Sequence, residues 1–202
     1  MTAERPIVLL GAGGHAKVVA DAIRLAGGVV ERMLEAGEDS EVGSLAARCV
    51  FVPAIGGQTA RRRATLDALT RGGVLASVVH PHAVVSAQAL IGAGTVVLAG
   101  AILNPGVEIG RFAIVNTAAS VDHDCRIADG AQLGPGARLA GDVWVGEDAC
   151  VWTGAIVIPG RRIGARAVVG AGAVVIEDVP EGATVVGNPA RIVAAGAKEQ
   201  RT

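Results

Sequence analysis

The sequence predicts a left-handed parallel β-helix of hexapeptide repeats preceded by a small α/β unit of half-Rossmann-like type. Three observations predict it. A six-residue repeat of aliphatic side chains runs unbroken over residues 79–180. A glycine-rich stretch at residues 11–14 follows a short apolar run and opens a helical pattern. Hydrophobic residues make up 51% of the 202, yet aromatics are only 2% and tyrosine is absent. Such a core calls for a regular lattice of Val, Ala, Ile and Leu rather than large aromatic anchors.

The repeat comes first because it is the strongest signal. Every sixth residue from Val79 through Val85, Ile91 and Val97 to Ile163, Val169 and Val175 is aliphatic, seventeen positions in all. Four residues after each stands a second series, from Ala83, Ala89 and Thr95 to Ala167, Ala173 and Val179, in which only Arg161 is bulky and charged. Stacked units sharing one continuous core produce this periodicity. Each hexad supplies one short strand and one corner, and three hexads make a triangular coil. The large aliphatic fills the interior, and the small residue lets the chain turn. Seventeen hexads make five to six coils, about 27 Å tall at roughly 4.8 Å per coil.

The preceding region has a different texture. Pro6-Ile-Val-Leu-Leu10 reads as a buried strand ending in glycines. Residues 15–26 place Val18, Val19, Ala22, Ile23 and Ala26 at helical spacing. Val50 to Ile55 reads as a later strand, and residues 58–70, with Leu66 and Leu69 among charges, as an amphipathic helix. Val74 to Val79 leads into the repeat as another strand. The expected organisation is an α/β unit over 1–78, the β-helix over 79–180, and a tail over 181–202.

Composition excludes several classes. A net charge of −1 argues against nucleic acid, which needs clustered Lys and Arg. The one tight basic run, Arg61-Arg62-Arg63, reads as a solvated helix face. Residues 74–107 carry no Asp, Glu, Lys or Arg, but histidines, prolines and the six-residue period interrupt any membrane span. Three cysteines without CxxC spacing suit a reducing compartment, and the start lacks the layout of a signal peptide. A cytoplasmic location is expected.

The register also sorts the side chains that could do chemistry. His123 is third in the hexad that starts at Val121, so it faces outward, flanked by Asp122 and Asp124. An imidazole beside carboxylates on a rigid coil suits a general base; the plain alternative is a surface histidine in a polar turn. Cys125 occupies an inward small-residue place and is a poor nucleophile. His80 and His82 begin the first coil, where capping is expected. His123 has no histidine partner in later coils, so no metal site is expected. Gly11-Ala12-Gly13-Gly14-His15-Ala16 can present helix-start amides to a phosphate; a ligand-free tight turn is the alternative.

Together these pieces resemble the bacterial sugar acetyltransferases of the sialic-acid O-acetyltransferase and nucleotide-amino-sugar N-acetyltransferase family. The resemblance rests on residues 11–15, Ala54-Ile55-Gly56 followed by Arg61, His80-Pro81, Asn116-Thr117 with Val121-Asp-His-Asp-Cys125, and Gly187-Asn-Pro-Ala-Arg191. It implies a homotrimer with sites between subunits and acetyl-CoA as co-substrate. It also implies His123 as base, Asp124 as the carboxylate behind it, Asn116 in the same pocket, and the Gly141 amide facing the oxyanion. Gln132, Thr153 and Ala171 fall where the cofactor runs, and Gly13, Gly14, His15 and Gly56 fall at the nucleotide end. Two departures stand out: Gln132 replaces a histidine frequent in relatives, and Val29-Val-Glu-Arg-Met-Leu-Glu35 replaces a stretch that ends in an acidic pair.

The expected activity is direct acetyl transfer to the amine of a UDP- or GDP-linked amino-deoxysugar. The alternative acceptor is a hydroxyl of sialic acid or a related sugar. A non-catalytic β-helix scaffold is the third reading, disfavoured by sparse outward threonine and by the glycine loop.

Overall fold

The computed structural model describes residues 5–193. Its first part is a three-stranded parallel sheet, with β1 (Ile7–Leu10), α1 (Gly14–Leu25), β2 (Val30–Leu34), α2 (Val42–Leu45), β3 (Val50–Pro53) and α3 (Gln58–Thr70) in chain order. The sheet order is β2-β1-β3. β1 is central and reads as an uninterrupted apolar run, while β2 is an edge strand whose Glu31 and Arg32 are exposed. That polar edge hid β2 from a search for apolar runs. The expected strand over residues 74–79 is confined to Val78–Val79, with Leu75 forming a single bridge to Phe51.

From Val78 onward, two-residue strands recur every six residues to Val174–Val175. They stack in parallel as three sheets of eight, six and five strands, whose last eight-stranded pairing is antiparallel. The expected left-handed parallel β-helix is the observed architecture. We call its faces first (starting with Val78–Val79), second (Val84–Val85) and third (Leu90–Ile91). The first-place aliphatics and fifth-place small residues form one continuous core from Val97 to Val185. Thr95 does point inward, its Oγ1 donating to the Gly110 carbonyl at 2.7 Å. Arg161 stays out of the core at the surface.

Two backbone features of the hexad add to the side-chain pattern. The third-place amide makes no ladder bond, and Pro81, Pro105, Pro135 and Pro159 use that place, where a missing N–H costs nothing. The fourth place turns the corner in the left-handed region, at φ 77° for Gly94 and 68° for Gly100. Six corners do this without glycine: Phe112, Ala118, Asp124, Asp142, Asp148 and Arg166. One register expectation fails. Ile163 bridges Val179 rather than residue 181, and Val168 pairs with Thr184, so the last coil is two residues short. Val179 therefore occupies an inward strand place, not a corner.

The α/β unit packs on the first face. Sixth-place residues there point outward from the helix yet are buried: Val78, Val96, Ile114, Gln132 and Cys150. Leu9, Val19, Ile23 and Val52 meet Val78, Val96 and Leu98 in a shared apolar cluster. The corresponding residues of the third face, Glu108, Arg126 and Arg162, are exposed. Both helices stand where expected, but their buried faces differ from the apolar pattern. Val18 and Leu66 are 47% and 48% exposed, because α1 buries Ala16, Val19, Ala20, Ala22 and Ile23, and α3 buries Arg61, Thr65 and Ala68.

Arg61 overturns the solvated-face reading of the arginine run. It is fully buried, and its guanidinium donates to the carbonyls of Ile55, Gly56, Phe112 and Gly130 and to Gln132 Oε1. Burial lowers its pKa to about 10. Arg62 is half-buried against Asp148 at 2.7 Å and over the Phe112 ring at 5.2 Å. Of the three, only Arg63 keeps the expected solvated place.

Candidate active site

The edge between the second and third faces brings Asp122, His123, Asp124 and Asp142 together. His123 stands at the third place of its corner and Asp124 at the fourth. The left-handed backbone at Asp124, φ 60°, turns its carboxylate back so that Oδ2 lies 2.8 Å from His123 Nδ1. With Nδ1–H donating to that carboxylate, Nε2 is left with its lone pair free. Both side chains are exposed, at 61% and 70%.

The neighbouring coils shape this group through an offset of eighteen residues. Gly141 lies one coil beyond His123, and a Cβ there would come within 2.5 Å of His123 Nε2. Gly106 lies one coil before Asp124, and a Cβ there would come within 2.6 Å of Asp124 Oδ1. Each glycine leaves the space that its neighbour occupies. The Gly141 amide donates to no acceptor among the described residues. Asn104, one coil before Asp122, donates from Nδ2 to Asp122 Oδ1 at 2.9 Å. The same oxygen accepts the His123 backbone amide at 2.8 Å.

These contacts set the electrostatics. The hydrogen bond to Asp124 raises the His123 pKa above its ordinary value; desolvation opposes this, and the charges of Asp122, Asp124 and Asp142 add to it. Asp122 is held below the usual carboxylate range by the His123 amide and then by Asn104. Cys125 points inward, its thiol 3.1 Å from the Ala140 carbonyl, and burial pushes its pKa up to about 11. A protonated, inward thiol cannot serve as the nucleophile.

The other candidates fall elsewhere in the chain. Asn116, Thr153 and Ala171 stand on the edge between the first and second faces, where Asn116 Oδ1 accepts the Thr117 amide at 2.8 Å. Gln132 lies on the first face, 5% exposed, bonded to Arg61. His80 is buried at the first corner and its Nδ1 accepts the His82 amide, a capping arrangement. Among the described residues no group of three or more His, Cys, Asp or Glu is placed to hold a metal ion, and no helix is long and apolar enough to cross a membrane.

In the α/β unit, the turn after β1 leads straight into α1. A Cβ at Gly11, at φ 119°, would strike the Ala54 carbonyl and Ile55, so this glycine is needed for the close strand–turn approach. Gly13, Gly14 and Gly56 face open space instead. No side chain caps α1 and no acidic residue occupies its first turn, so its amides remain open to an anion. His15 Nε2 is buried without a partner, and burial followed by the Arg61 charge lowers its pKa to about 4. Glu35 is exposed at the carboxyl end of β2, next to where the Gly11 amide bonds the Leu34 carbonyl. The spacing that reveals Asn104, Gly106 and Asp142 around His123 is the eighteen-residue coil, which a search along single hexads passes over.

No protein-family model matches the chain. It is 37% identical over 146 residues to the GDP-perosamine N-acetyltransferase of Escherichia coli O157:H7, which covers 70% of this chain and 66% of that protein. It is 46% identical over 90 residues to nodulation protein L of Rhizobium meliloti, covering 45% and 46%. These aligned stretches thus span from about half to two thirds of the curated relatives' own length. Solved structures match far more. A histidine-to-asparagine variant of perosamine N-acetyltransferase from Caulobacter crescentus, in complex with CoA and GDP-perosamine, has a TM-score of 0.92 and 39% identity, covering 94% of this chain and 97% of that one. The acetyltransferase domain of PglB from Neisseria gonorrhoeae, in complex with acetyl coenzyme A, has a TM-score of 0.90 and 36% identity, covering 94% and 100%. With relatives above 30% identity matched over nearly their whole length, the chain belongs to the hexapeptide-repeat sugar acetyltransferases.

Proposed function

We propose that the protein is an acetyl-CoA-dependent N-acetyltransferase acting on the amine of a nucleotide-linked amino-deoxysugar, with a GDP-linked sugar favoured. The observation that carries this reading is the His123–Asp124 pair at 2.8 Å, with a free Nε2 lying over Gly141. The relatives named for GDP-perosamine support the acceptor. Three carboxylates around the base, Asp122, Asp124 and Asp142, suit an acceptor that arrives partly as an ammonium ion better than a neutral hydroxyl.

Acetyl-CoA supplies the acetyl thioester. His123 Nε2 takes a proton from the amine as its nitrogen attacks the thioester carbonyl carbon. The Gly141 amide faces the oxygen that becomes negative. The carbon–sulfur bond then breaks, and the imidazolium returns its proton to the departing thiolate, leaving an amide and a free thiol. Asp124 holds the tautomer and supports the imidazolium while it is charged.

Asn116 and His123 are seven residues apart, at the two opposite edges of the second face. One chain therefore cannot place Asn116, Thr153 and Ala171 against its own His123, whereas two edges from neighbouring copies can meet. Exposed Val84, Ile102 and Ile156 on the intervening face favour such packing. We therefore read the working unit as a homotrimer with sites between subunits, located in the cytoplasm. Gln132 belongs to the cofactor side of that site in this reading, and Gly13, Gly14, His15 and Gly56 hold the nucleotide. The organisation is a nucleotide-sugar unit over 1–78, the acyltransferase β-helix over 79–180 and a tail over 181–202 that completes the cofactor site; that tail is described only to Val193.

The test is thiol release from acetyl-CoA with GDP-linked amino-deoxysugars, UDP-linked ones and free sialic acid as acceptors. The expected result is turnover with a GDP-linked amine. Turnover with sialic acid alone would replace this reading with O-acetylation. Absence of acetyl-CoA binding in calorimetry would leave only a scaffold.

A further inference from the structure

We propose that Asn104 and Asp122 are a positioning pair for the base: Asn104 holds Asp122, and Asp122 holds the His123 backbone, so that the ring is fixed over Gly141. This deepens the reading of His123 as base and rests on it. Asp122 Oδ1 is the hub. It accepts Asn104 Nδ2 at 2.9 Å from the preceding coil and the His123 amide at 2.8 Å from its own corner. Third-place amides make no ladder bond in this fold, so without Asp122 the His123 amide would lose its anchor.

The contact is unlike the Asp124 contact in kind. Asp124 reaches the imidazole and sets its tautomer; Asp122 reaches the main chain and sets where the ring starts. Fixing both ends leaves the ring few alternatives. Its far face is closed by Gly141, so a small rotation of the corner would drive it into that coil or swing Nε2 away. A displacement near 1 Å at a reacting atom is enough to cost on the order of 100-fold in rate. Asn104 also determines which way the Asp122 carboxylate faces. An unheld carboxylate two bonds from the backbone could turn toward solvent.

The charged groups facing the imidazole are Asp122 and Asp124 from its own corner and Asp142 from the following coil. The preceding coil presents Asn104, Pro105 and Gly106, none of which titrates there. Replacing Asp122 by asparagine removes one of the three negative charges but keeps a carbonyl oxygen as the acceptor. Replacing it by alanine removes both. The two substitutions therefore separate charge from positioning.

The experiment measures kcat, KM for acetyl-CoA and the pH profile of kcat for Asp122→Asn, Asp122→Ala and Asn104→Ala, with NMR titration of the His123 ring in each. Asp122→Ala and Asn104→Ala are expected to lower kcat by roughly 10- to 100-fold, with an unchanged KM for acetyl-CoA and an unchanged melting temperature. Asp122→Asn is expected to retain most of kcat while the acid limb and the ring's NMR titration both move to lower pH. Wild-type kcat in Asp122→Ala, or a kcat loss in Asp122→Asn as large as in Asp122→Ala, would overturn the positioning role. The NMR titration needs no turnover, so it reads the pair even in a poorly active variant. Failure of the base itself is read separately: His123→Ala with full activity would remove the reading on which the pair rests, whatever Asp122 does.

Discussion

The β-helix and the α/β unit solve the same problem, burying apolar surface, in opposite ways. The β-helix does it with many equal parts. Its core from Val97 to Val185 repeats the same two side-chain classes, and Thr95 is the one polar residue buried in its interior among the described residues. The α/β unit is joined to that helix through a short apolar patch, the half-buried Arg62 on Asp148, and one fully buried guanidinium, Arg61, which has no carboxylate among its hydrogen-bond partners. Repetition spreads the consequences of any single change; a unique contact concentrates them. The contrast also explains why the chemical group at His123 lies on the repetitive part. A stack of coils fixes the separation between His123 and Gly141 from below and above, as a loop could not.

The strongest way to test the contrast is to remove the buried Arg61 contact. Arg61→Met leaves the carbonyls of Ile55, Gly56, Phe112 and Gly130 and the Gln132 amide without their donor. Three of these bonds, to Phe112, Gly130 and Gln132, are buried; at about 1–3 kcal/mol for each unsatisfied buried group, the loss should be at least about 3 kcal/mol. Denaturant unfolding followed by hydrogen exchange should find the α/β unit opening first, with the β-helix still protected. A single concerted transition at wild-type stability would contradict the division into two regions.

The matching change in the repetitive part is Leu133→Ala, which removes one fully buried first-place side chain. A cost of about 2–5 kcal/mol is expected. Exchange should rise mainly in the coil that holds residue 133 and its two neighbours, as in other stacked repeats. Equal loss of protection at both ends of the helix would show that the stack behaves as one block.

A third change leaves both cores untouched. The base works when neutral, so activity should fall as pH falls through the raised pKa of His123, placing the acid limb above the ordinary imidazole value near 6.5. Asp124→Asn removes the group chiefly responsible for that rise. Its acid limb should therefore move to lower pH, with a reduced maximum and an unchanged melting temperature. A limb that stays in place would detach Asp124 from the base.

The smallest expected effect is on the outer surface. Arg162 lies 5.1 Å from the centre of the Trp144 ring on the third face, an exposed cation–π contact worth about 0.5–1 kcal/mol. Arg162→Ala should move stability by no more than that in thermal unfolding.

The two regions also differed in how far they could be read from sequence. The inward series at Val121, Ile127 and Leu133 and the small series at Ala131 and Ala137 fixed the β-helix and turned His123 outward and Cys125 inward. The corner's left-handed place was harder to see, since Phe112, Ala118 and Arg166 adopt it without glycine. The face that the α/β unit covers was written at a spacing of eighteen, in Val78, Val96, Ile114 and Cys150 against the charged Glu108, Arg126 and Arg162. A spacing of six averages that contrast away. Arg61 was illegible for a different reason: its burial depends on four carbonyls from three separate turns, and in sequence it is one of three adjacent arginines. The shortened last coil left no mark because Val179 suits either the corner or the strand.

The most direct test is turnover by His123→Ala, assayed by thiol release from acetyl-CoA with a GDP-linked amino-deoxysugar, alongside circular dichroism and a melting curve. The account predicts a kcat lower by about 10²–10⁴-fold, an intact fold, and acetyl-CoA binding close to wild type, because His123 is exposed and supports no core contact. A folded variant that turns over at the wild-type rate would contradict it.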